Sequence, residues 1–422
     1  MVRRPSDARS RSCTTTILNA LGSVRLFEKD EPTAETPFRV RNPHGFCTEF
    51  DRSTDRKTIK NNGFMKKAIW LPMLAAALCG GIGRTNACTG IALSAADGSY
   101  VQSRTIEWSR GVLQSQYVVI PRGQRLRSFT PTGTNGLSFT ARYGTVGLAV
   151  VREEFIAEGI NEAGLSAGLF FFPQYGGYES YDPDRNDRTL ADLQVAAWML
   201  TQFATIDEVK AAVASVRIVA LERSSVVHWR IGEASGRQVV LEIVDGVPHF
   251  YENEVGVLTN APGFTWHLTN LNNYVNLYPG DAPVRQLSGI ALRPTGGNSG
   301  FLGIPGDATP PSRFVRAAFY RATAPQRGTA FETVLQCFHL LNCFDIPIGI
   351  EHPDADAPDI PSATQWTSAI DLTHRKVYYK TAYDNSIRCI DLSKIDFGRV
   401  KYQSHPLDKV RRQPVVEIAV TH

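Results

Sequence analysis

The sequence predicts a layered α+β domain. Strand patterns occur in groups, helical patterns occur in groups, and no regular strand–helix–strand alternation joins them. The chain has 422 residues, of which 43% are hydrophobic and 20% charged, so it can bury a large core. No internal repeat or linker divides the chain after residue 87, and this favours one domain over residues 88–422.

The first strands are predicted to form a hairpin. Residues 88–93 alternate like a strand, residues 95–98 have turn chemistry, and residues 100–106 form the return strand. If the turn centres between its second and third residues, antiparallel pairing places Cys88 opposite the Arg104-Thr105 region. The hairpin therefore brings a guanidinium close to Cys88.

The later elements follow from the same patterns. Further strands are predicted at 117–120, 138–143, 147–151, 156–160, 165–172, 225–231, 238–244, 249–252, 365–371 and 376–381. Helices are predicted at 189–203, 206–216, 312–320 and 330–342.

Net charge gives no support for nucleic-acid binding. The formal charge of the whole chain is +4. Residues 1–64 hold 12 basic and 8 acidic groups, and residues 65–87 hold three basic groups and no acid. Residues 88–422 hold 30 basic and 33 acidic groups, so the excess basicity lies outside the predicted domain. No stretch reaches the roughly 18 apolar residues that a membrane-spanning helix requires.

Residues 65–87 have the pattern of a secretory signal peptide. Two lysines follow Met65, an apolar run comes next, and Thr-Asn-Ala places small residues three and one before Cys88. A buried core helix is the alternative, but Pro72 and a Gly-Gly pair argue against it. We interpret residues 1–64 as an upstream extension outside the fold, and we expect the working protein to be periplasmic or secreted.

Cleavage after Ala87 would leave Cys88 with a free amine beside its own thiol. An N-terminal amine has a pKa of about 7.7 to 8.0 and can take the thiol proton directly or through one water. A nearby cation favours the thiolate, and the hairpin delivers Arg104. Cys88 can therefore act as nucleophile and base. No zinc-type His pair or phosphate-binding glycine loop occurs, so we expect no cofactor and no metal.

Several short motifs occur in a fixed order along the chain. They are Cys-Thr-Gly at 88–90, Ser-Arg-Thr-Ile-Glu-Trp at 103–108, Gly-Ile-Asn-Glu-Ala-Gly-Leu at 159–165, Leu-Thr-Asn-Ala-Pro at 258–262, Asn-Leu-Asn-Asn-Tyr at 270–274, Pro-Gly-Asp at 305–307 and Ser-Arg-Phe-Val-Arg at 312–316. In this order the chain resembles the choloylglycine hydrolase and penicillin V acylase family. The resemblance implies an N-terminal nucleophile hydrolase of linear amide bonds, built as a four-layer αββα sandwich of two antiparallel sheets between helical layers.

The resemblance also implies catalytic roles. Cys88 matches the nucleophile, Arg104 the cation that stabilises the thiolate, Asn260 an oxyanion donor and Arg313 a second active-site cation. Glu107 stands where the family usually has an Asp that binds the terminal amine, so it offers the same carboxylate on a longer side chain.

Two aromatic residues are candidate substrate contacts. Phe170 stands where bile-salt and Gram-positive penicillin enzymes have Asn or Tyr, so a second oxyanion donor must come from a backbone N–H or elsewhere. Trp108 and Phe170 are predicted to line an apolar acyl pocket, with core packing as the alternative. Both resemble the Gram-negative branch of the family, which favours penicillin V or acyl-lactone chemistry.

The sequence thus predicts a cysteine amidase that acts on a small-molecule acyl amide. The acyl group is apolar and the amine small and polar, which covers conjugated bile acids, phenoxyacetyl penicillins and N-acyl homoserine lactones. No nucleic-acid partner is expected, and homo-oligomerisation stays open. The departures at Glu107 and Phe170 motivate one alternative, a catalytically silent exported protein that binds acyl ligands on the same fold.

Overall fold

The computed structural model describes residues 87–108, 113–222, 226–350 and 363–420. They fall within the compact unit Met65–His422. The upstream extension, and all of the signal peptide except Ala87, lie outside the described residues. The boundaries at residues 64 and 87 therefore stay predictions.

Two antiparallel sheets form the centre of the fold. Sheet A has six strands, in spatial order β14 (Val257–Leu258), β1 (Gly90–Ser94), β2 (Tyr100–Trp108), β17 (Ala363–Asp371), β18 (Lys376–Thr381) and β19 (Arg388–Asp391). Sheet B has eight, in spatial order β13 (Val247–Glu252), β12 (Gln238–Val244), β11 (Val227–Gly232), β8 (Ser166–Phe171), β7 (Ile156–Asn161), β6 (Thr145–Val150), β3 (Ser115–Ile120) and β20 (Gln403–Pro406). Within the described ranges, three two-stranded ribbons lie outside these sheets: β4 (Arg125–Arg127) with β5 (Ser138–Thr140), β9 (Thr189–Ala191) with β10 (Arg217–Val219), and β15 (Arg285–Leu287) with β16 (Ile290–Leu292).

Helices cover the outer faces of both sheets. They are α1 (Val195–Gln202), α2 (Ile206–Ala212), α3 (Phe264–Asn270), α4 (Pro310–Thr323) and α5 (Ala330–Leu341). Helix α1 packs on β7 and β8 of sheet B, whereas α4 and α5 pack on β1 and its neighbours in sheet A. The predicted αββα arrangement is confirmed. None of the helices in the described ranges has the length and apolar character needed to cross a membrane.

The predicted helices exist, but their ends differ. The first was predicted to start at residue 189, yet Thr189–Ala191 form β9, because they pair in parallel with β10. Helix α2 ends at Ala212 and continues as a 3₁₀ turn. Helix α4 starts two residues earlier than predicted, since proline fits the first turn of a helix without losing a hydrogen bond.

The β1–β2 hairpin differs from the prediction by one residue of register. Gly90 lies opposite Arg104, and the Glu107 N–H donates to the Ala87 carbonyl at 3.0 Å. The shift arises in the turn, where Gly98 has φ of +85° and the Ser99 N–H donates to Asp97 Oδ1. A shift of one residue exchanges the two faces of a strand, so this register puts Arg104 on the face that Gly90 shares.

Gly90 leaves the space that the side chains of Arg230 and Phe170 need between the sheets. A Cβ atom at residue 90 would lie 2.7 Å from Arg230 Nη1 and 2.8 Å from Phe170 Cζ, both closer than real Cβ contacts. Because the sheets are packed against each other here, these two side chains have little room to retreat.

We therefore expect Gly90→Ala to lower the free energy of unfolding by about 1 to 3 kcal/mol, as overpacked cores do. Urea unfolding measures the change. Gly296→Ala is the matched control, because no atom lies within 4 Å of a Cβ placed there. Equal stability of Gly90→Ala and the wild type would contradict the close packing described here.

Candidate active site

Cys88 lies two residues before the start of β1 and is 3% exposed. Its backbone N–H donates to Asn260 Oδ1 at 2.9 Å, and its carbonyl accepts a hydrogen bond from Arg313 Nη1. Against the larger effect of burial, the backbone of Phe171 lowers the pKa of the thiol. Both the N–H and the carbonyl of Cys88 therefore have polar partners.

Arg104 carries a fully buried guanidinium between the two sheets. Its Nε donates to the Thr105 carbonyl at 3.1 Å, and its Nη1 donates to the carbonyls of Ala157 and Leu169. The ring of Phe170 lies 4.1 Å from the guanidinium carbon. These contacts hold the cation beside Cys88 in a site closed to water.

Burial raises the pKa of the Cys88 thiol. The charge of Arg104 lowers this pKa, Glu107 raises it, and Arg313 lowers it. Burial is the largest of these effects, so the two guanidinium groups do not by themselves make Cys88 a thiolate at neutral pH. A base next to the thiol is needed.

Asn260 joins three elements through its side chain. Its Oδ1 accepts from the Cys88 N–H at 2.9 Å and from Arg313 Nη2 at 2.7 Å. Its Nδ2 donates to the Phe171 carbonyl at 2.9 Å. An amide nitrogen carries two protons, so Nδ2 keeps a second donor that can serve an oxyanion.

Arg313, on α4, reaches the site from the outer face of sheet A. Its Nη1 also donates to Thr89 Oγ1 at 2.8 Å, and its Nε donates to the Ala308 carbonyl at 2.8 Å. The planar guanidinium thus connects the Cys88 backbone to Asn260 in one rigid group.

Glu107 is buried on β2, and burial raises the pKa of its carboxyl to about 8, whereas Arg313 lowers it. Thr364, on β17, donates to Oε1 at 2.9 Å. Among the described residues, no group forms a hydrogen bond with Oε2. The site therefore contains a buried carboxyl oxygen with unused acceptor capacity close to Cys88.

The two predicted pocket residues have different surroundings. Phe170 is fully buried, with its ring against Arg104 and Arg230, so the alternative of core packing describes its position. Trp108 is partly buried at the end of β2, opposite Ala363. Contact of either ring with a substrate stays a prediction.

Sequence reasoning missed a buried ion cluster beside the site. Glu158 Oε1 accepts from Arg230 Nη2 at 3.0 Å, and its Oε2 lies 3.8 Å from Arg104 Nη1. Arg230 also donates to the carbonyls of Ile91 and Ser103, in sheet A. The available signal was a charged residue within each of two otherwise buried strands, β7 and β11.

Residues 88–404 match the linear amide C–N hydrolases of the choloylglycine hydrolase family. The chain belongs to this family. It is therefore a hydrolase of linear amide C–N bonds, and the alternative of a catalytically silent binding protein is not supported.

Curated and solved relatives agree with this assignment. Bile salt hydrolase/transferase of Clostridium perfringens is 31% identical over 323 residues, covering 74% of this chain and 95% of the relative. Penicillin V acylase of Pectobacterium atrosepticum is 26% identical over 375 residues, covering 81% of this chain and 90% of the relative. The crystal structure of a variant of conjugated bile acid hydrolase from Clostridium perfringens has a TM-score of 0.68 at 26% identity, covering 79% of this chain and 100% of the other.

The burial of Cys88 predicts low thiol reactivity in a folded chain that retains Ala87. At pH 7, iodoacetamide should modify the exposed Cys343 at least ~10-fold faster than Cys88, since thiolate fraction and access both limit alkylation. Peptide mass mapping over time measures the two rates. In urea, the same two cysteines should react at similar rates, and equal rates in the folded chain would contradict the buried site.

Proposed function

We propose that this hydrolase is a cysteine amidase whose working chain begins at Cys88. The observation that carries the proposal is the position of Cys88, where the family match begins and around which Arg104, Asn260 and Arg313 converge. Residues 65–87 would direct export and leave by cleavage after Ala87. The working protein, residues 88–422, would then be periplasmic or secreted.

Cleavage would convert the peptide nitrogen of Cys88 into an amine at the place where a base is needed. That nitrogen already lies 2.9 Å from Asn260 Oδ1, which can accept from an amine as it does from a peptide N–H. Glu107 supplies a buried carboxyl with a free Oε2, and a positive amine would stabilise its ionised form. We assign Glu107 to holding this amine.

The acylation step transfers one proton and exchanges one bond. The thiol proton passes to the Cys88 amine, and Sγ attacks the substrate carbonyl carbon. The second Nδ2 proton of Asn260, with the backbone N–H of Phe171, holds the negative oxygen that forms. When the carbon–nitrogen bond breaks, the ammonium returns the proton to the leaving amine, and a thioester on Cys88 remains.

Deacylation reverses these roles with water as the nucleophile. The Cys88 amine takes a proton from water as the oxygen attacks the thioester carbon. The same donors hold the oxyanion, and Sγ leaves as a thiolate beside Arg104 before it recovers the proton. The products are a carboxylic acid and a free amine.

The proposed substrates join an apolar acyl group to a small polar amine. The relatives named bile salt hydrolase/transferase and penicillin V acylase support this class. The test panel is glycocholate, taurocholate, penicillin V and an N-acyl homoserine lactone, each incubated with protein whose N-terminus at Cys88 has been verified by sequencing. Release of the free amine measures turnover, and no hydrolysis of any of the four would reject this substrate class.

We expect Cys88→Ser to retain less than about 1% of wild-type kcat on any panel member that is hydrolysed, because an alcohol lacks the acidity of a thiol. The protein should still fold, since the change is nearly isosteric. Cys389→Ser is the matched control, because Cys389 is exposed and on β19, far along sheet A from the site. Full activity of Cys88→Ser, or of a chain that retains Ala87, would reject Cys88 as the N-terminal nucleophile.

The role of Glu107 makes a pH-dependent prediction. Glu107→Gln should reduce kcat/KM, and Glu107→Asp should keep more activity because it retains the charge on a shorter side chain. Removing the carboxylate also lowers the pKa of the amine, since an opposite charge no longer favours the ammonium form. The base must be neutral to act, so the acidic limb of the kcat/KM profile should move to lower pH in Glu107→Gln. Identical profiles for wild type, Asp and Gln variants would show that Glu107 does not bind the amine.

A further inference from the structure

Two buried histidines donate hydrogen bonds to consecutive backbone carbonyls at Asn260. His228 Nε2 lies 3.1 Å from the Thr259 carbonyl oxygen, and His267 Nε2 lies 2.9 Å from the Asn260 carbonyl oxygen. Both histidines have no exposed surface. A carbonyl oxygen only accepts, so each histidine carries its proton on Nε2 in these contacts.

His228 crosses from one sheet to the other. It lies on β11 of sheet B, whereas Thr259 directly follows β14 of sheet A. Its Nδ1 is 3.1 Å from Glu242 Oε1, and the same oxygen accepts from the Phe264 N–H at 2.8 Å. Its ring stacks on Phe172 with centroids 4.3 Å apart and planes 4° apart. The contact with Glu242 and the stacked Phe172 ring thus fix the plane of the His228 ring that reaches the Thr259 carbonyl.

His267 holds the other carbonyl from the helical side. It lies on α3, and its ring stacks on Phe314 of α4 with centroids 4.5 Å apart. Burial lowers the pKa of His267 to about 4, so the ring is neutral at neutral pH. No described residue forms a hydrogen bond with its Nδ1. Its one ring proton is therefore used for the Asn260 carbonyl.

The hydrogen bonds at these two carbonyls limit the positions that the Asn260 side chain can occupy. The side chain must meet Cys88, Arg313 and Phe171 at once, each within 2.9 Å. Displacement of a catalytic group by about 1 Å can cost on the order of 10²-fold in rate. A backbone held by hydrogen bonds at two consecutive carbonyls leaves Asn260 little freedom to move.

We propose that His228 and His267 are positioning residues that hold Asn260 against Cys88 through its backbone. The inference rests on the proposed function, because it requires Asn260 to stabilise the oxyanion. Neither histidine contacts the reacting atoms in this scheme, and neither lies within the motifs named in the sequence analysis.

The test separates the hydrogen bond of His267 from its ring packing. His267→Gln keeps a side-chain N–H donor and loses the ring, whereas His267→Phe keeps a ring that can stack on Phe314 and loses the donor. We expect His267→Phe to lower kcat by about 10-fold or more with KM changed less than about 2-fold, as for a group that acts through the transition state. His267→Gln should retain kcat within about 3-fold of wild type.

The matched control is His405→Phe. His405 is also a ring-packed histidine, with Tyr117 at 5.1 Å and Gln403 as its hydrogen-bond partner, but it lies on β20 at the far edge of sheet B. Its kcat should equal that of wild type. If His267 only packs, the order reverses: the Phe variant stays active and the Gln variant loses activity. That reversal, or equal losses in both variants, would overturn the inference.

Asn260→Ala distinguishes failure of this inference from failure of the proposed function. It should lower kcat by about 10²-fold, as expected for an oxyanion donor. Wild-type kcat in Asn260→Ala would overturn both proposals. A large loss in Asn260→Ala together with full activity in His267→Phe would overturn only the role of His267.

A measurement on the wild-type protein tests the inference even if the variants fail to fold, and it tests the role of His228 as well as that of His267. In protein with ¹⁵N-labelled histidine, NMR should show two Nε2–H groups that exchange slowly with water, because both are buried and hydrogen-bonded. Nuclear Overhauser contacts with the stacked rings, Phe172 for His228 and Phe314 for His267, assign the two signals in the wild type itself. Rapid exchange of either proton would overturn the positioning role of that histidine.

Discussion

A guanidinium buried between two sheets is the constraint on which this fold depends. Removing a charge from water is unfavourable unless polar groups surround it, and Arg104 has no exposed surface. Carbonyls of β7 and β8 accept its protons, Glu158 supplies a negative charge, and the Phe170 ring covers one face. Each of these groups belongs to sheet B, whereas Arg104 belongs to sheet A. The cation therefore sets the distance and the alignment of the two central layers.

The burial of Arg104 also restricts which residues can occupy the neighbouring positions. Arg230 shares Glu158 and occupies the space beside Gly90, so any larger residue at position 90 would displace the Arg230 guanidinium or the Phe170 ring. The cluster then holds two positive charges and one negative charge in a site that excludes water. In the proposed mechanism, a thiolate on Cys88 would bring the local charge closer to balance.

Asn260 connects the surrounding strands and helices to the site around Cys88. Its side chain contacts the start of β1, the end of β8 and helix α4, and its backbone is held from β11 and α3. Three of the four layers, namely sheet A, sheet B and the helices on sheet A, thus meet at this residue. Since burial is the strongest effect on the pKa of the Cys88 thiol, the proposed mechanism relies on placed hydrogen bonds and a local base and does not need a strongly depressed thiol pKa.

The sequence by itself determined the kind of fold, the order of its elements and the residues that converge on Cys88. Period-two alternation marks strands and the motifs mark Arg104, Glu107, Asn260 and Arg313, because these signals are local in the chain. Only the tertiary structure decided the hairpin register, because the turn is one residue longer than predicted. It also decided that Thr189–Ala191 form a strand, because these residues pair with the distant strand β10 despite their helical pattern. It also decided the use of Glu158, Arg230, His228 and His267, since a polar residue in a buried strand does not reveal its partner. Those partners lie on other strands or in the other sheet, and long-range pairing leaves no periodic signal in the sequence.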